Sequence, residues 1–449
     1  MLIMFRVKNY TSFHEEAVLD MRATGYKEHP THVIQHGNFK LLKTVAIYGP
    51  NASGKSNLIS ALFSFERYIF KQLFQENWED NQSIESDELS AAFTIEPFLL
   101  FDNVNPSIEF EIIFLHKGTL FQYGFSFQAN TIQTEWLLVD DELVFDRKPN
   151  NTMEYGRKYK AQLKDFKKYR EDRLYLSVLD YFSTNSIKVH IDNFKNFFQK
   201  QFNVYFELFL EPSVKGTMGV IGLSKQLVDN EDFRRKTAEY INRIDVGIVD
   251  FVVEKEPIRL RSGEIKEMSV VKTVHEVYDA KGNRTGTKVF NLEQESTGTL
   301  RFLSFIQNIL KLLENGGVFV IDELSARLHP LLTKFIVDIF QSEINDKNAQ
   351  LIFTTHDTSI LNKDQFRRDE IVFVDKNQKG ESSLYSLSDL KTVRQDATFN
   401  KDYFSGKYGA IPIIQATKQA NDGTDSCRDA KVRCNSNISL KQKVISDHP

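Results

Sequence analysis

The sequence predicts an α/β fold with a largely parallel sheet, on the strength of three observations. A glycine-rich loop at residues 49–56 lies between an apolar strand pattern and a helical pattern. A second apolar run, residues 317–321, ends in the carboxylates Asp322 and Glu323. Strand and helix patterns then alternate along the C-terminal half. Short apolar runs that alternate with helices are typical of buried parallel strands.

The glycine-rich loop fits the spacing G-x-x-x-x-G-K-[ST] of a phosphate-binding P-loop. With the next position, its residues are Gly49, Pro50, Asn51, Ala52, Ser53, Gly54, Lys55, Ser56 and Asn57. Glycines let backbone N–H groups surround a phosphate, and the helix N-terminus adds a favourable dipole. We expect Lys55 to reach the β- and γ-phosphates of a nucleotide and Ser56 to bind Mg²⁺. A chance glycine turn is the alternative, and the flanking strand and helix count against it.

Catalytic groups of parallel sheets lie at the carboxyl ends of the strands. We therefore expect Asp322 to orient Mg²⁺ or its water shell and Glu323 to polarise the attacking water. A strand that simply ends in a polar turn is the alternative. Another apolar strand pattern, residues 350–354, leads to His356, which is placed to sense the γ-phosphate and to hold Glu323 in register. Taken alone, such a histidine is more typical of a structural residue whose hydrogen bonds are satisfied within a turn.

Length and composition fit a cytoplasmic globular protein. The 449 residues are enough for about two or three domains, and the net charge of −4 does not indicate a nucleic-acid or membrane surface. No apolar stretch is long enough to span a bilayer, and the start of the chain reads as a strand rather than as a signal peptide. The two cysteines, Cys427 and Cys434, match no zinc pattern.

The patterns divide the chain into four parts. Residues 1–150 contain the P-loop and a β-rich subdomain, because period-two patterns around Lys117 and Gly118 predict an antiparallel hairpin. Residues 151–250 are predicted to be a helical insert in which the phenylalanine-rich stretch 192–209 is a helix and its aromatic side chains are core. Residues 251–414 complete the nucleotide-binding part. Residues 415–449 lack aromatic side chains and are predicted to be disordered.

Further motifs carry a resemblance to a known family. A small-residue turn precedes a predicted helix and resembles a signature motif; its residues are Ser296, Thr297, Gly298 and Thr299. Residues 322–330 keep the spacing of the loop that follows the catalytic carboxylates in ABC-type ATPases. With the P-loop, these motifs resemble the ABC-type P-loop ATPases of the RecF, SMC and overcoming-lysogenization-defect (OLD) branch. Residues 5–13 and 403–412 resemble the AAA-family ATPases of anti-phage and abortive-infection systems (RloA, AbiL and PARIS types).

The resemblance implies an ABC-type ATPase head with a mixed, largely parallel sheet, an antiparallel β subdomain and a helical insert. It implies Mg²⁺-dependent ATP hydrolysis by a homodimer or higher oligomer that sandwiches ATP, so that the signature turn of one subunit contacts the γ-phosphate held by the other. It also implies a sensor or scaffold in phage defence that controls a toxic effector, a nuclease encoded nearby.

The chain departs from the family pattern at identifiable positions. The signature has one glycine where ABC transporters usually carry two, and Arg327 replaces a small residue after the carboxylates. Gln122 and Gln133 are only candidates for the Q-loop glutamine. The insert is too short for the long coiled coil of SMC proteins and lacks a zinc hook.

Other functions stay open at the level of sequence. A RecF-like DNA-repair ATPase would bind DNA through basic residues between 158 and 170, although interspersed acidic residues make a solvated surface the simpler interpretation. A self-contained nuclease is disfavoured, because fewer than a hundred residues follow His356 and they contain no Asp-x-Asp pattern after a glutamate. A structural protein that only retains nucleotide is disfavoured because the catalytic carboxylates are present.

Overall fold

The described residues contain a six-stranded and a seven-stranded sheet, against which the helices pack. The computed structural model describes residues 1–74, 95–101, 107–128, 131–164, 171–184, 186–205, 226–243, 247–259, 265–326, 328–391, 393 and 398–412. The strands are β1 Leu2–Lys8, β2 Ala17–Asp20, β3 Val33–His36, β4 Phe39–Leu42, β5 Thr44–Tyr48, β6 Ile108–His116, β7 Thr119–Gln128, β8 Thr131–Val139, β9 Glu142–Arg147, β10 Met153–Tyr155, β11 Phe202–Tyr205, β12 Ile248–Arg259, β13 Ile265–Tyr278, β14 Arg284–Asn291, β15 Val318–Ile321, β16 Gln350–Thr354, β17 Ile371–Lys376 and β18 Ser382–Ser386. The helices are α1 Lys55–Leu73, α2 Lys160–Leu163, α3 Tyr175–Phe182, α4 Ser186–Lys200, α5 Glu231–Asn242, α6 Thr297–Asn315, α7 Pro330–Gln341 and α8 Phe399–Phe404.

The six-stranded sheet confirms the predicted parallel architecture. Its order is β11-β15-β16-β5-β17-β18, and only the β17–β18 pair is antiparallel. Every residue of β5, β15 and β16 is buried, which explains their continuous apolar sequences. Because these three strands are parallel neighbours, the loops that follow them emerge at one edge of the sheet.

The seven-stranded antiparallel sheet confirms the predicted β subdomain. Its order is β10-β9-β8-β7-β6-β1-β2. The β6–β7 hairpin turns at Lys117 and Gly118, whose φ angles are +51° and +77°. Two consecutive left-handed residues are the geometry of a type I′ turn, which suits the twist of the paired strands.

The helices α3 and α4 pack against the antiparallel sheet. Phe197 of α4 stacks on Phe114 of β6 with ring centroids 4.1 Å apart, and Phe194 makes an edge contact with Tyr123. These side chains are almost fully buried, so the prediction that the phenylalanines form core is confirmed. They belong to one hydrophobic cluster that also contains α1 and the inner face of the parallel sheet.

The predicted helix over residues 192–209 was wrong after Lys200. The chain leaves α4 there, and β11 pairs in parallel with Val318–Ile321 of β15 as an edge strand of the six-stranded sheet. A run of phenylalanines suits a helix and a strand equally, and the partner that decides between them lies more than a hundred residues away. Residues 206–209 lie outside the described part of the chain.

A three-stranded meander, β12-β13-β14, leads into α6. A second hydrophobic cluster joins α5, α6 and α7 to the other face of the parallel sheet. Met1–Pro412 form one compact unit, within which the boundaries at residues 150 and 250 stay predictions. The predicted tail and both cysteines lie outside the described residues. Among the helices of the described residues, none has the length and apolar character to cross a membrane.

Candidate functional site

The glycine-rich loop connects the buried strand β5 to the N-terminus of α1. Gly54 precedes the helix with a φ of +113°, and a Cβ atom there would lie 2.4 Å from Ser382 Oγ and 2.7 Å from Ser12 Oγ. A Cβ atom on Gly49 would lie 2.3 Å from the carbonyl oxygen of Val374. A side chain at either position would clash with neighbouring residues, so both positions require glycine. With glycine there, the backbone N–H groups at the start of α1 are available to an anion.

Lys55 folds back over this loop. Its Nζ donates to the carbonyl oxygens of Gly49 at 2.9 Å and Pro50 at 3.0 Å. Burial lowers the pKa of Lys55 to about 8, against the opposing effect of Glu323 and Asp322. The ammonium is thus still charged at neutral pH, and it lies within the electrostatic range of Asp322 and Glu323.

Hydroxyl groups line the same loop. Ser382 donates to the carbonyl oxygen of Ser53 at 2.6 Å, and its Oγ lies 2.8 Å from that of Ser12. Asn57 in turn donates to Ser12 at 2.7 Å. Ser53 Oγ itself is buried and has no hydrogen-bond partner in the described residues. Because a buried hydroxyl without a partner is costly, this donor fits an oxygen of a bound phosphate. Ser56, the next hydroxyl along, is exposed.

Asp322 and Glu323 follow β15 directly. The hydroxyl of Thr354, at the end of β16, donates to Asp322 Oδ1 at 2.6 Å and accepts from the N–H of Glu323 at 2.7 Å. Glu323 has a left-handed φ of +51°. Its carbonyl oxygen accepts from Arg301 Nη2 at 2.7 Å. Both peptide groups that flank this residue are therefore held by hydrogen bonds.

His356 lies beside the second carboxylate. Its Nε2 is 3.5 Å from Glu323 Oε1, and each side chain is 40% exposed. Burial, together with the charge of Lys55, lowers the pKa of His356, while Glu323 and Asp322 act in the opposite direction. At neutral pH the imidazole is therefore uncharged, and with its proton on Nε2 it donates towards the carboxylate.

The signature residues form the first turn of α6. Ser296 is the N-cap, and its Oγ accepts from the N–H of Thr299 at 3.0 Å, while Thr297 and Gly298 open the helix. In the described part of the chain, the hydrogen bonds of these four residues stay within this turn. The fold thus brings the P-loop, the carboxylates and His356 to one edge of the parallel sheet, and within the described residues no side-chain hydrogen bond joins the signature turn to them.

The family model for "AAA domain, putative AbiEii toxin, Type IV TA system" matches residues 45–362, which include the P-loop, the carboxylates and His356. The chain belongs to this AAA family. Membership implies a P-loop ATPase domain that binds nucleotide, in general with Mg²⁺.

Two solved structures are similar to this AAA protein at a low level. One is the SMC head domain from Thermotoga maritima, with 16% sequence identity over 86% of this chain and 98% of that chain and a TM-score of 0.38. The other is an SmcHead bound to the C-winged helix domain of ScpA, with 12% identity over 86% of this chain and 97% of that chain and a TM-score of 0.39. A comparison with curated proteins gave no match.

Magnesium in this AAA protein would be held by few protein atoms. Within the described ranges, no group of three or more His, Cys, Asp or Glu side chains is arranged to hold a metal ion. Mg²⁺ at nucleotide sites commonly uses one or two protein oxygens together with phosphate and water. Ser56 and Asp322, the two predicted ligands, suit this arrangement.

The structure does not decide the roles expected for Gln122, Gln133 and Arg327. Gln122 donates to Glu111 within the antiparallel sheet at 2.9 Å, and Gln133 donates to the carbonyl oxygen of Thr131 at 3.5 Å. These contacts do not identify either glutamine as the Q-loop residue. Arg327 lies outside the described residues.

Sequence reasoning missed the residues that hold the site in place. Thr354 could have been noticed, because a hydroxyl at the carboxyl end of a central strand is well placed to reach its neighbour. Ser12 lies in a motif used for the resemblance, but no local signal pointed to its contact with Asn57. Arg301 and Ser382 carry no signal in the sequence, since their partners are distant along the chain.

Proposed function

We propose that this AAA protein hydrolyses ATP to ADP and phosphate with Mg²⁺. The proposal rests on one observation: the P-loop lysine, two carboxylates and a histidine lie at the same edge of the parallel sheet. Lys55, Asp322, Glu323 and His356 follow three adjacent parallel strands, and Thr354 hydrogen-bonds to the carboxylate of Asp322 and to the backbone N–H of Glu323. The geometry suits phosphoryl transfer, in which catalysis depends on positioning and on electrostatic stabilisation.

Each residue has a role in the proposed reaction. Lys55 and the N–H groups of the loop bind the β- and γ-phosphates, and Ser53 donates its hydroxyl to a phosphate oxygen. Ser56 and Asp322 would hold Mg²⁺, which would supply positive charge beside the phosphates. Glu323 orients a water molecule and accepts a proton from it as the water oxygen bonds to the γ-phosphorus and the bond to the bridging oxygen of ADP breaks.

His356 would position the carboxylate and contact the γ-phosphate. Its neutral imidazole allows donation without adding a second positive charge beside Lys55. The structural evidence for this role is the 3.5 Å separation from Glu323.

We infer that hydrolysis requires two copies of the chain. The turn formed by Ser296, Thr297, Gly298 and Thr299 presents the N-terminus of a 19-residue helix, which is suited to an anion. Among the residues that the structure describes, its side-chain hydrogen bonds stay within the turn. Contact with the nucleotide held by a second copy would complete both sites of a nucleotide sandwich.

We infer a biological role as a sensor or scaffold in anti-phage defence. ATP-driven closure and opening of the dimer would hold or release a toxic effector, a nuclease encoded nearby. The support is the resemblance at residues 5–13 and 403–412, together with a family description that names a putative AbiEii toxin and a Type IV TA system.

DNA binding ranks second as a function. In and beside the proposed basic stretch, Lys158 pairs with Glu142 at 2.8 Å, while Lys188 and Lys195 both pair with Asp180. Ion pairing reduces the attraction of these lysines for phosphate. A binding titration with a steep salt dependence would favour the DNA function, and no binding at low salt would reject it.

Phosphate release by purified variants tests the ATPase proposal. We expect Glu323→Gln to lower kcat by about 10²- to 10⁴-fold, the usual contribution of a general base, and to keep nucleotide affinity. We expect Lys55→Ala to lose nucleotide affinity. Glu314→Gln, which alters an exposed ion pair with Lys236, is the matched control and should hydrolyse ATP like the wild type. Hydrolysis by Glu323→Gln at the wild-type rate would reject the assigned role.

A further inference from the structure

Arg301 connects the signature helix to the catalytic glutamate within one chain. It lies in α6, five residues after the N-cap Ser296. Its Nη2 donates to the carbonyl oxygen of Glu323 at 2.7 Å. The side chain is buried, and its guanidinium lies 5.3 Å from the ring centroid of Phe305 on the same helix. Packing against its own helix means that the guanidinium follows any movement of α6.

Glu323 depends on external support for its conformation. A φ of +51° is unfavourable for a residue with a side chain and persists where surrounding contacts impose it. Thr354 accepts from the N–H of Glu323, and Arg301 donates to its carbonyl oxygen. These two bonds fix the peptide planes on either side of the Cα atom, and they therefore set the direction in which the side chain of Glu323 leaves the backbone.

We propose that Arg301 is a positioning residue that transmits movement of the signature turn to the carboxylate of Glu323. The inference rests on the proposed nucleotide sandwich. In that dimer, the signature turn of one protomer contacts the ATP of its partner, while Glu323 of the same protomer acts on its own ATP. Arg301 thus couples the two ATP sites, and hydrolysis becomes cooperative in ATP.

A purely structural role for Arg301 makes a different prediction. A residue that only supports the fold affects stability and the amount of active protein, and it leaves the cooperativity of the remaining active enzyme unchanged. The coupling role changes kcat and the Hill coefficient while leaving nucleotide affinity nearly constant.

The test is steady-state ATP hydrolysis by the full-length protein, with nucleotide affinity measured separately by titration. We expect Arg301→Ala to lower kcat by about 10- to 100-fold, the scale of a carboxylate misplaced by about 1 Å, and to lower the Hill coefficient towards 1. Nucleotide affinity should change by less than about threefold, because the P-loop is untouched. Arg301→Lys keeps a charged donor on a flexible stem and should lie between Arg301→Ala and the wild type. Lys236→Ala removes an exposed ion pair to the far end of α6 and should match the wild type.

Wild-type kcat and Hill coefficient in Arg301→Ala would overturn the coupling. If thermal melting shows that Arg301→Ala does not fold, Arg301→Lys decides the question: a reduced Hill coefficient at an unchanged melting temperature supports the coupling, and an unchanged coefficient rejects it. A wild type that hydrolyses ATP with a Hill coefficient of 1 rejects the coupling alone. A wild type that hydrolyses no ATP rejects the proposed function and the coupling together.

Discussion

Thr354 donates its hydroxyl hydrogen to Asp322 at 2.6 Å, from the end of β16 to the end of the neighbouring β15. The same hydroxyl oxygen accepts from the N–H of Glu323 at 2.7 Å. One side chain therefore connects the proposed magnesium ligand to the residue proposed to activate water. Because all three positions are fixed by two parallel strands, the carboxylates are arranged before nucleotide binds.

Replacing Thr354 by valine should impair both stability and hydrolysis. The substitution keeps the side-chain shape and leaves the partly buried N–H of Glu323 without its acceptor, which costs about 1 kcal/mol, the lower end of the range for a buried group. We expect a lower free energy of unfolding in denaturant and a lower kcat. Thr354→Ser keeps the hydroxyl and is the matched control. Equal losses of stability and kcat in Thr354→Ser and Thr354→Val would show that the hydroxyl group of Thr354 does not support the site.

ATP binding should be accompanied by proton uptake at alkaline pH. Burial lowers the pKa of Lys55 to about 8, so the free protein increasingly carries a neutral lysine as the pH rises through 8. The negative charge of the ATP phosphates favours the charged form of Lys55, so Lys55 takes up a proton when ATP binds. Because binding then requires this proton, ATP affinity should fall above that pH. Calorimetry in two buffers of different ionisation enthalpy should detect uptake of roughly three quarters of a proton at pH 8.5 and almost none at pH 6.5.

The matched control for proton uptake is Lys55→Arg, whose guanidinium stays charged throughout this pH range. Any ATP that this variant binds should be bound without the additional uptake at pH 8.5. Proton uptake that is equal at the two pH values in the wild type would contradict the lowered pKa of Lys55.

Replacing His356 by glutamine should lower kcat with little change in KM. The imidazole positions Glu323, and we expect a loss of about 10- to 100-fold because positioning is lost while substrate binding through the P-loop remains. Since the pKa of His356 lies below its ordinary value, wild-type activity should be insensitive to its titration at pH 7 and above. An acid limb should appear only below about pH 6.5 in a rate profile. A rise in KM with constant kcat would contradict the positioning role.

Replacing Gly54 by alanine should abolish nucleotide binding. The φ of +113° disfavours a side chain, and the new Cβ would lie 2.4 Å from Ser382 Oγ. We expect a lower melting temperature and loss of ATP affinity by titration. Gly282→Ala is the matched control, because Gly282 has a φ of +83° in an exposed turn with no atom of the described residues within 4 Å of the new Cβ. Its nucleotide affinity should equal that of the wild type.

The local parts of the site were predictable from sequence. The P-loop, the carboxylates after β15 and His356 after β16 each follow an apolar run, and such runs carry their structural signal in consecutive residues. The long-range parts were not predictable. Arg301 meets Glu323 through the packing of α6, and β11 is a strand because β15 lies beside it.

The motif at residues 403–412 illustrates the same limit of prediction from sequence. The sequence of these residues resembles the ATPases of anti-phage systems but indicates no physical role, whereas the structure shows that they pack against the parallel sheet. Tyr403 stacks on Phe373 of β17 with centroids 5.5 Å apart, and Tyr385 donates to the carbonyl oxygen of Tyr408 at 2.7 Å. Tyr403 also lies 6.3 Å from Tyr48, the last residue of β5 before the P-loop. The motif therefore packs beside the strand that positions the nucleotide loop.

The most direct test of the account is the mass of the purified Glu323→Gln variant in solution, with and without ATP and Mg²⁺. Without the carboxylate that activates water, bound ATP should not be hydrolysed, and the ATP-bound dimer should therefore persist. We therefore predict a species of twice the chain mass of 52.0 kDa with ATP and Mg²⁺, and a monomer without nucleotide. Lys55→Ala should remain monomeric in both conditions. A Glu323→Gln variant that binds ATP and stays a monomer would contradict the nucleotide sandwich.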